Sequence, residues 1–274
     1  MPELPEVETV RRSLEPKIVG RTIKGLTINL PRIVNSPPGH DFAETLIGKS
    51  FEKLERRGKY LLCYLSEDYC LVVHLRMTGR LIHCSPEEPI VRHSHVLIEL
   101  DDGQQLRYID VRQFGTLTLR KTEELDKLSG LKDLGPEPLG EDFTLAEFQK
   151  AIASKKRNIK ALLLDQRFIA GLGNIYVDEA LARAALHPDR LASDLASEEV
   201  DSLYQSIRQV LEEGISARGT SFRDYVDGEG NKGDFQNRLW VYGRAGQPCP
   251  RCKEPIQREK KAGRGTHFCP CCQR

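Results

Sequence analysis

The chain of 274 residues opens on a single apolar stripe. Val7, Val10, Leu14 and Ile18 recur at three- and four-residue steps, which predicts an amphipathic helix from Pro5 to about Ile18. Gly20 stops it. From Arg21 to Arg120 the period shortens. Short β-rich runs alternate with turn residues: Thr22–Leu30, Ser50–Leu54, Tyr60–Leu65, Cys70–Leu75, Val96–Leu100, Leu106–Asp110 and Thr116–Leu119. Asp101-Asp102-Gly103 between two of them is a hairpin signal. Several short strands at this spacing predict a β-sandwich or barrel.

Leu134-Gly-Pro-Glu-Pro-Leu139 punctuates the pattern and reads as a linker. Helical spacing follows it. Thr144 and Glu147 make a capping-box pattern, Ile159–Asp165 is short, and a further helix begins near Gly173. A longer one starts at Ser197, with Val200, Leu203, Ile207, Val210 and Leu211 on one face. Arg218–Asp234, rich in Gly and charge, reads as a loop. The expected divisions are 1–133 for a β-rich domain and 134–145 for a linker. Residues 146–236 are expected as a helical domain with its loop, and 237–274 as a cysteine-bearing tail. The class is α+β, with several domains.

Composition adds little until charge is located. The balance of 30% charged and 39% hydrophobic residues fits a soluble globular protein. No apolar run reaches the roughly 18 residues of a membrane span, and no basic-then-apolar leader opens the chain. The expected compartment is the cytoplasm, where patterned cysteines suggest metal more than disulfides. Net charge is +1, yet Asn237–Arg274 carries nine Lys/Arg against two Glu, a formal +7. A basic tail on an acidic body is a footprint for a polyanion.

That tail contains Cys249-Pro-Arg-Cys252 and Cys269-Pro-Cys-Cys272, sixteen residues apart. Two such knuckles bring four sulfurs into a tetrahedron, which predicts one structural Zn²⁺ on Cys249, Cys252, Cys269 and Cys272. Cys271 is set aside because it does not repeat the first spacing. Cys63, Cys70 and Cys84 read as packed thiols. Between the knuckles, Gly263-Arg-Gly265 suits a turn that pushes Arg264 outward, either as a phosphate clamp or as a plain solvated residue.

The amino terminus is chemically odd. Initiator Met before a small residue is usually trimmed, which would leave Pro2 with a free secondary amine. Such an amine titrates near pH 8, so part of it is neutral at pH 7, and it can attack an electrophilic carbon. Glu3 stands beside it as a proton carrier. Glu6 reads either as a pocket residue or as a surface helix Glu. Gly171-Leu-Gly-Asn174 is a Gly-rich turn entering a helix, which suits an anion; Asn174 would add a side-chain donor. Lys155 and Lys160 upstream read equally as phosphate contacts or as a solvated face.

Met1-Pro-Glu-Leu-Pro-Glu-Val-Glu-Thr-Val10 resembles the amino terminus of the formamidopyrimidine-DNA glycosylases. The resemblance covers essentially the whole chain, in family order. Arg56-Arg-Gly-Lys59-Tyr60 looks like the family segment whose Lys is a second catalytic amine. His74-Leu-Arg-Met-Thr-Gly79 and Asp110-Val-Arg-Gln-Phe-Gly115 are similar to the family's two wedge loops, so Met77, Arg112 and Phe114 are expected to fill the gap left by a flipped base. His93 matches a DNA contact. Gly171–Glu179 looks like the helix–two-turn–helix signature, and the cysteine tail resembles the family's finger. There the residue matching Arg264 touches phosphates and assists the last elimination.

The resemblance implies an N-terminal helix plus β-sandwich, a helix–two-turn–helix domain and a C-terminal zinc ribbon. It implies a bifunctional glycosylase and abasic-site lyase, acting as a monomer on double-stranded DNA that carries an oxidised purine. Pro2, Glu3, Lys59 and Arg264 are the expected catalytic set. Thr220, Ser221 and Tyr225, with Glu6, are expected to border the flipped base, which backbone groups of that loop would read. Thr78 and Gln113 depart from the pattern, where Glu and a basic residue are expected. Two alternatives stay open. An endonuclease VIII-like enzyme for oxidised pyrimidines is disfavoured by Leu4 and the wedge trio. An inert DNA-binding module is disfavoured by the retention of Pro2, Glu3 and Lys59.

Overall fold

The computed structural model describes residues 2–222, 224–261 and 263–274. The chain forms two compact units. One holds residues up to Lys132 together with Ala217–Gln236, and the other holds Asp133–Ser216 with Asn237–Arg274.

The first unit begins with helix α1, Leu4–Ile18, which buries the stripe Val7, Val10, Leu14 and Ile18 completely. Gly20 ends it with a φ of +84°, a conformation open to glycine at no steric cost. Strands β1 (Ile23–Ile28) and β2 (Val34–Asn35) and the short helix α2 (Phe42–Leu46) follow. Then come β3 (Phe51–Arg57), β4 (Tyr60–Leu65), β5 (Tyr69–His74), β6 (Gly79–Cys84), β7 (Ser94–Leu100), β8 (Gln105–Asp110) and β9 (Thr116–Lys121). One sheet has the order β1-β7-β8-β6 and the other β2-β9-β5-β4-β3. All pairings are antiparallel except the two-residue β2–β9 contact. Alternate residues of both sheets, including Leu61, Cys63, Leu71, Val73, Val96, Ile98 and Leu106, join the α1 stripe in one apolar core. This is the expected sandwich.

The strand runs hold with shifted ends. The run at Ser50–Leu54 extends as β3 to Arg57, and the turn at Asp102-Gly103 closes β7 to β8 with Gly103 at a φ of +80°. In this unit β2, α2 and β6 were not read from the pattern. In β6 the polar Arg80 and His83 interrupt the alternation around Leu81 and Cys84.

Residues 217–236 were expected with the helical domain. Their contacts lie instead with the first unit. Tyr225 is part of the sandwich core, Gly228 N–H donates to Ser13 Oγ at 2.9 Å, and Gly228 O accepts from His83 N–H at 2.8 Å. An aromatic ring that finds an apolar pocket decides where the loop packs, whatever precedes it in sequence.

The second unit contains α3 (Leu145–Ala153), α4 (Ile159–Leu163), α5 (Asn174–Arg183) and α6 (Ser197–Ser216), followed by the hairpin of β10 (Gln257–Lys261) and β11 (Arg264–Phe268). Thr144 caps α3 by accepting Glu147 N–H at 3.3 Å. The long helix α6 buries Val200, Leu203, Ile207, Val210 and Leu211 on the expected face. Val241, Cys249, Ile256 and Cys269 pack with Ala182 of α5, so helices and ribbon share a unit. Among the described residues no helix is long and apolar enough to cross a membrane.

Replacing Tyr225 by Ala should remove both the core ring and its hydroxyl bond, at about 3–5 kcal/mol for an aromatic truncated to Ala. Denaturant unfolding measures the loss. Trypsin should cut at Arg218 and Lys232 faster in the variant; an unchanged digestion rate would show that the loop is held by other means.

Candidate functional site

The amino terminus is built around one carboxylate. Glu3 and Glu6 form a reciprocal capping box at the start of α1, and Glu3 N–H donates to Glu6 Oε2 at 2.8 Å. Glu6 Oε1 accepts the N–H of Thr220 at 2.7 Å. Tyr225 Oη donates to Glu6 O at 3.2 Å. Burial, with Glu6 nearby, pushes the Tyr225 hydroxyl well above its usual range, so it stays a donor. Ser221 ties the loop to itself. Its N–H donates to Gln236 Oε1, its hydroxyl donates to Tyr225 O, and that hydroxyl accepts from Gly233 N–H. Pro2, Glu3 and Glu6 are all buried, which excludes the reading of Glu6 as a surface residue. The loop candidates Thr220, Ser221 and Tyr225 are thus joined to the helix that carries Pro2 and Glu3. Met1 lies outside the described residues.

Lys59 sits in the tight turn between β3 and β4, where Arg57 pairs with Tyr60 and Gly58 takes a φ of +56°. The turn is fastened to α1. Arg56 donates to Gly58 O at 3.1 Å and to Glu8 Oε2 at 3.4 Å. Burial works against the Glu8 charge, but Arg11, Arg12 and Arg56 together hold its carboxyl below the ordinary value. Lys59 is buried. Across the sheet from Tyr60 stands His74, ring to ring at 4.4 Å. Burial, then the charges of Arg76 and Lys59, push its pKa down to about 3. His74 is therefore neutral at working pH, and its Nδ1 accepts Arg76 N–H at 3.0 Å.

Met77, Arg112 and Phe114 stand on two neighbouring loops, after β5 and after β8, and all three are exposed. Phe114 is 54% exposed, unusual for an aromatic residue with a core next to it. The Arg112 guanidinium lies 5.0 Å from its ring centroid. Both departures from the family pattern are bonded here. Thr78 Oγ1 donates to Asp110 Oδ1 at 2.5 Å, and Gln113 Oε1 accepts from Arg32 at 2.5 Å. His93 takes a φ of +69° in the loop before β7 and is half-buried beside His95. Leu4 is fully buried.

In the second unit, Cys249, Cys252, Cys269 and Cys272 bring four sulfurs within 4.8 Å of one another. The Cys249–Cys272 and Cys252–Cys269 sulfur separations are 3.9 and 3.4 Å. A tetrahedron with Zn–S near 2.3 Å has edges of about 3.8 Å, so the four thiols fit one zinc. Cys271 is exposed and outside the set. The β10–β11 hairpin pairs Lys261 with Arg264 and presents Arg264 at its tip, exposed and with no side-chain partner among the described residues. Asn174 opens α5. Its Nδ2 donates to Gly265 O at 2.8 Å, and its buried Oδ1 meets no donor among the described residues.

Three family models match in chain order: the N-terminal domain of formamidopyrimidine-DNA glycosylase over 1–117, its H2TH domain over 134–226, and the zinc finger found in FPG and IleRS over 246–274. The formamidopyrimidine-DNA glycosylase of Heliobacterium modesticaldum is 60% identical over the full length of both chains. The chain belongs to the formamidopyrimidine-DNA glycosylase family. A glycosylase of the same name from Pelotomaculum thermopropionicum is 52% identical, covering 100% of this chain and 99% of its own. Among solved structures, a Lactococcus lactis FPG mutant bound to Fapy-dG-containing DNA matches with TM-score 0.93 at 41% identity, over 100% of both chains. Wild-type Lactococcus lactis FPG bound to DNA containing an oxidised pyrimidine matches with TM-score 0.92 at 41% identity, again over 100% of both.

Within this glycosylase fold one expectation needs correcting. Lys160 does not face solvent. It is fully buried, with Nζ donating to Asp178 Oδ1 at 2.6 Å and to Thr266 Oγ1 at 2.7 Å. The spacing placed it on a short helix, but α4 turns that face inward, so it is a structural cation. Lys155, just after α3, is exposed and has no side-chain partner among the described residues. The sequence reading also missed two acids on α5. Asp178 Oδ2 accepts His267 N–H at 2.9 Å. Glu179 accepts the N–H groups of Trp240, Val241 and Tyr242 at 2.8–2.9 Å. Adjacent acids in the otherwise apolar run Ile175–Ala182 were the available signal.

Two outcomes follow from this geometry. Lys160→Met leaves Asp178 buried without its cation and should cost about 3–5 kcal/mol in unfolding free energy. Lys155→Ala should instead leave stability unchanged and lower the salt slope of DNA binding by about 1. The reverse assignment of these two effects would restore Lys160 as a phosphate contact. For the metal, Cys271→Ser should retain one zinc per chain by colorimetric assay while Cys269→Ser loses it. Zinc loss from the Cys271 variant would redraw the ligand set.

Proposed function

We propose that this glycosylase excises oxidised purines, 8-oxoguanine and formamidopyrimidines, from duplex DNA and then cuts the strand at the abasic site, acting as a monomer in the bacterial cytoplasm. The observation that carries the reading is the junction at Glu6, which links the Pro2–Glu3 terminus to the loop bearing Thr220 and Ser221. A terminus with an amine and a carboxylate, joined to that loop within one unit, supports the reading.

The chemistry runs as follows. With Met1 removed, the Pro2 nitrogen forms a bond to C1′ of the sugar as the bond from C1′ to the base breaks. The base leaves with that electron pair and takes a proton, which Glu3 supplies. Glu3 then recovers the proton shed by the Pro2 nitrogen. The Pro2 nitrogen then forms a double bond to C1′ as the C1′–O4′ bond breaks and O4′ takes the proton from Glu3, giving an iminium that acidifies the C2′ hydrogen. Its removal expels the 3′ phosphate, and a second elimination expels the 5′ phosphate. Lys59, a second amine beside a neutral His74, supports lesion orientation and proton transfer. Met77, Arg112 and Phe114 fill the space of the flipped base, and exposed apolar side chains beside an Arg suit that task. Lys155, His93, Asn174 and Arg264 bind the DNA backbone, Arg264 assisting the last elimination. Zinc, when bound, holds the ribbon that carries Arg264 and takes no part in the bond changes.

Borohydride trapping tests this. Duplexes carrying 8-oxoguanine opposite cytosine, or thymine glycol, are offered in parallel. The expected result is a crosslink on the 8-oxoguanine strand that maps to Pro2, and about a 10²–10⁴-fold loss of excision rate in Glu3→Gln. A crosslink only to thymine glycol would move the enzyme to oxidised pyrimidines. Binding without any crosslink would leave a DNA-binding module.

A further inference from the structure

Beneath the two wedge loops lies a fully buried aspartate that the mechanism above does not use. Asp110 Oδ1 accepts from Thr78 Oγ1 at 2.5 Å and from Arg112 N–H at 3.2 Å. Its Oδ2 accepts Gly115 N–H at 2.9 Å, and Tyr108 Oη lies 3.5 Å from it. The Thr78 hydroxyl also accepts Arg112 N–H, at 3.0 Å. So one hydroxyl, donating to the carboxylate and accepting from the backbone of Arg112, joins the loop that carries Met77 to the loop that carries Arg112 and Phe114. The surroundings leave little slack. A Cβ on Gly79 would stand 2.5 Å from Tyr108 Oη and 2.4 Å from Leu75 O, and one on Gly115 would overlap that hydroxyl at 1.6 Å. Both loops therefore close on the same buried point. Thr78 is also one of the two positions where this chain departs from the expected pattern.

We propose that Thr78 is a positioning residue: with Asp110 it holds the backbone of Arg112 so that the guanidinium meets the orphaned base in a set pose, and it thereby tunes discrimination of the base opposite the lesion. This rests on the wedge role given above. The chemistry supports a specificity effect. A guanidinium only donates. Cytosine offers two adjacent acceptors on its pairing edge, whereas adenine pairs an acceptor with a donor. A held Arg112 rewards the first and rejects the second, and a loose one does so less.

The test compares Thr78→Val, which keeps the shape and removes the hydroxyl, with Thr78→Ser, which keeps the hydroxyl. Single-turnover excision of 8-oxoguanine is measured opposite cytosine and opposite adenine. Loss of a buried hydrogen bond at the wedge should slow excision opposite cytosine about tenfold in Thr78→Val. The cytosine-over-adenine ratio should shrink with it, and Thr78→Ser should restore both. A hydroxyl that served folding alone would lower Tm and leave the ratio intact. A second readout needs binding only: 2-aminopurine opposite a tetrahydrofuran site, whose fluorescence rises as the wedge unstacks it. That rise should fall in Thr78→Val and return in Thr78→Ser, with Thr78→Ala as the substitute if valine crowds the site. An unchanged ratio and an unchanged fluorescence rise in Thr78→Val would overturn the proposal. A wild-type protein that excises nothing would sink the repair reading instead, and the fluorescence arm would still decide the role of Thr78.

Discussion

Glu6 spends each carboxylate oxygen on a different part of the chain. One receives the N–H of Glu3 and so finishes the first helix; the other receives the N–H of Thr220 and so anchors a loop that returns from far along the sequence. A buried carboxylate is costly unless its oxygens are satisfied. Here both are, by backbone donors that would otherwise be orphans at a helix start and in a turn. Truncating that side chain would unsettle two elements at once. The amino terminus and the loop beside it are in this sense a single structure.

The second unit repeats the solution. Glu179 gathers three successive backbone N–H groups, and Asp178 takes a buried ammonium and the N–H of His267. Burial raises the Glu179 carboxyl, and the three N–H bonds work the other way. Both acids lie on α5, and both reach toward the ribbon segment. The hairpin that presents Arg264 is thus held from beneath by α5 as well as by zinc at its base. In each unit buried carboxylates are satisfied by backbone N–H groups from segments distant in sequence.

Much of this was legible in the sequence. The α1 stripe, the strand runs and the two cysteine knuckles are periodic or strictly spaced, and physics acts on them locally. What escaped is what depends on distant partners. Lys160 lies on a five-residue helix, too short for its pattern to say which face is buried, and only the approach of Asp178 and Thr266 decides it. Residues 217–236 carry loop composition, and their allegiance is set by the Tyr225 ring and by bonds of Thr220 and Gly228 to residues far away in sequence. Glu6 looked as much like a surface acid as a pocket residue because its second partner lies 214 positions away. Asp110 read as a strand end; three of its donors lie within five residues of it, but the fourth, the Thr78 hydroxyl, comes from 32 positions away.

That separation has a consequence for how the protein comes into being. The sandwich needs Tyr225 to complete its core, and Glu6 needs Thr220 to satisfy its second oxygen, yet the ribosome delivers them only after residues 133–216 have emerged. Contacts so distant in sequence form late. A nascent or truncated chain therefore carries its amine at the front without the loop that belongs beside it. The first unit to begin emerging is thus not the first to be finished: its last contacts wait until the helices of the second unit have been made.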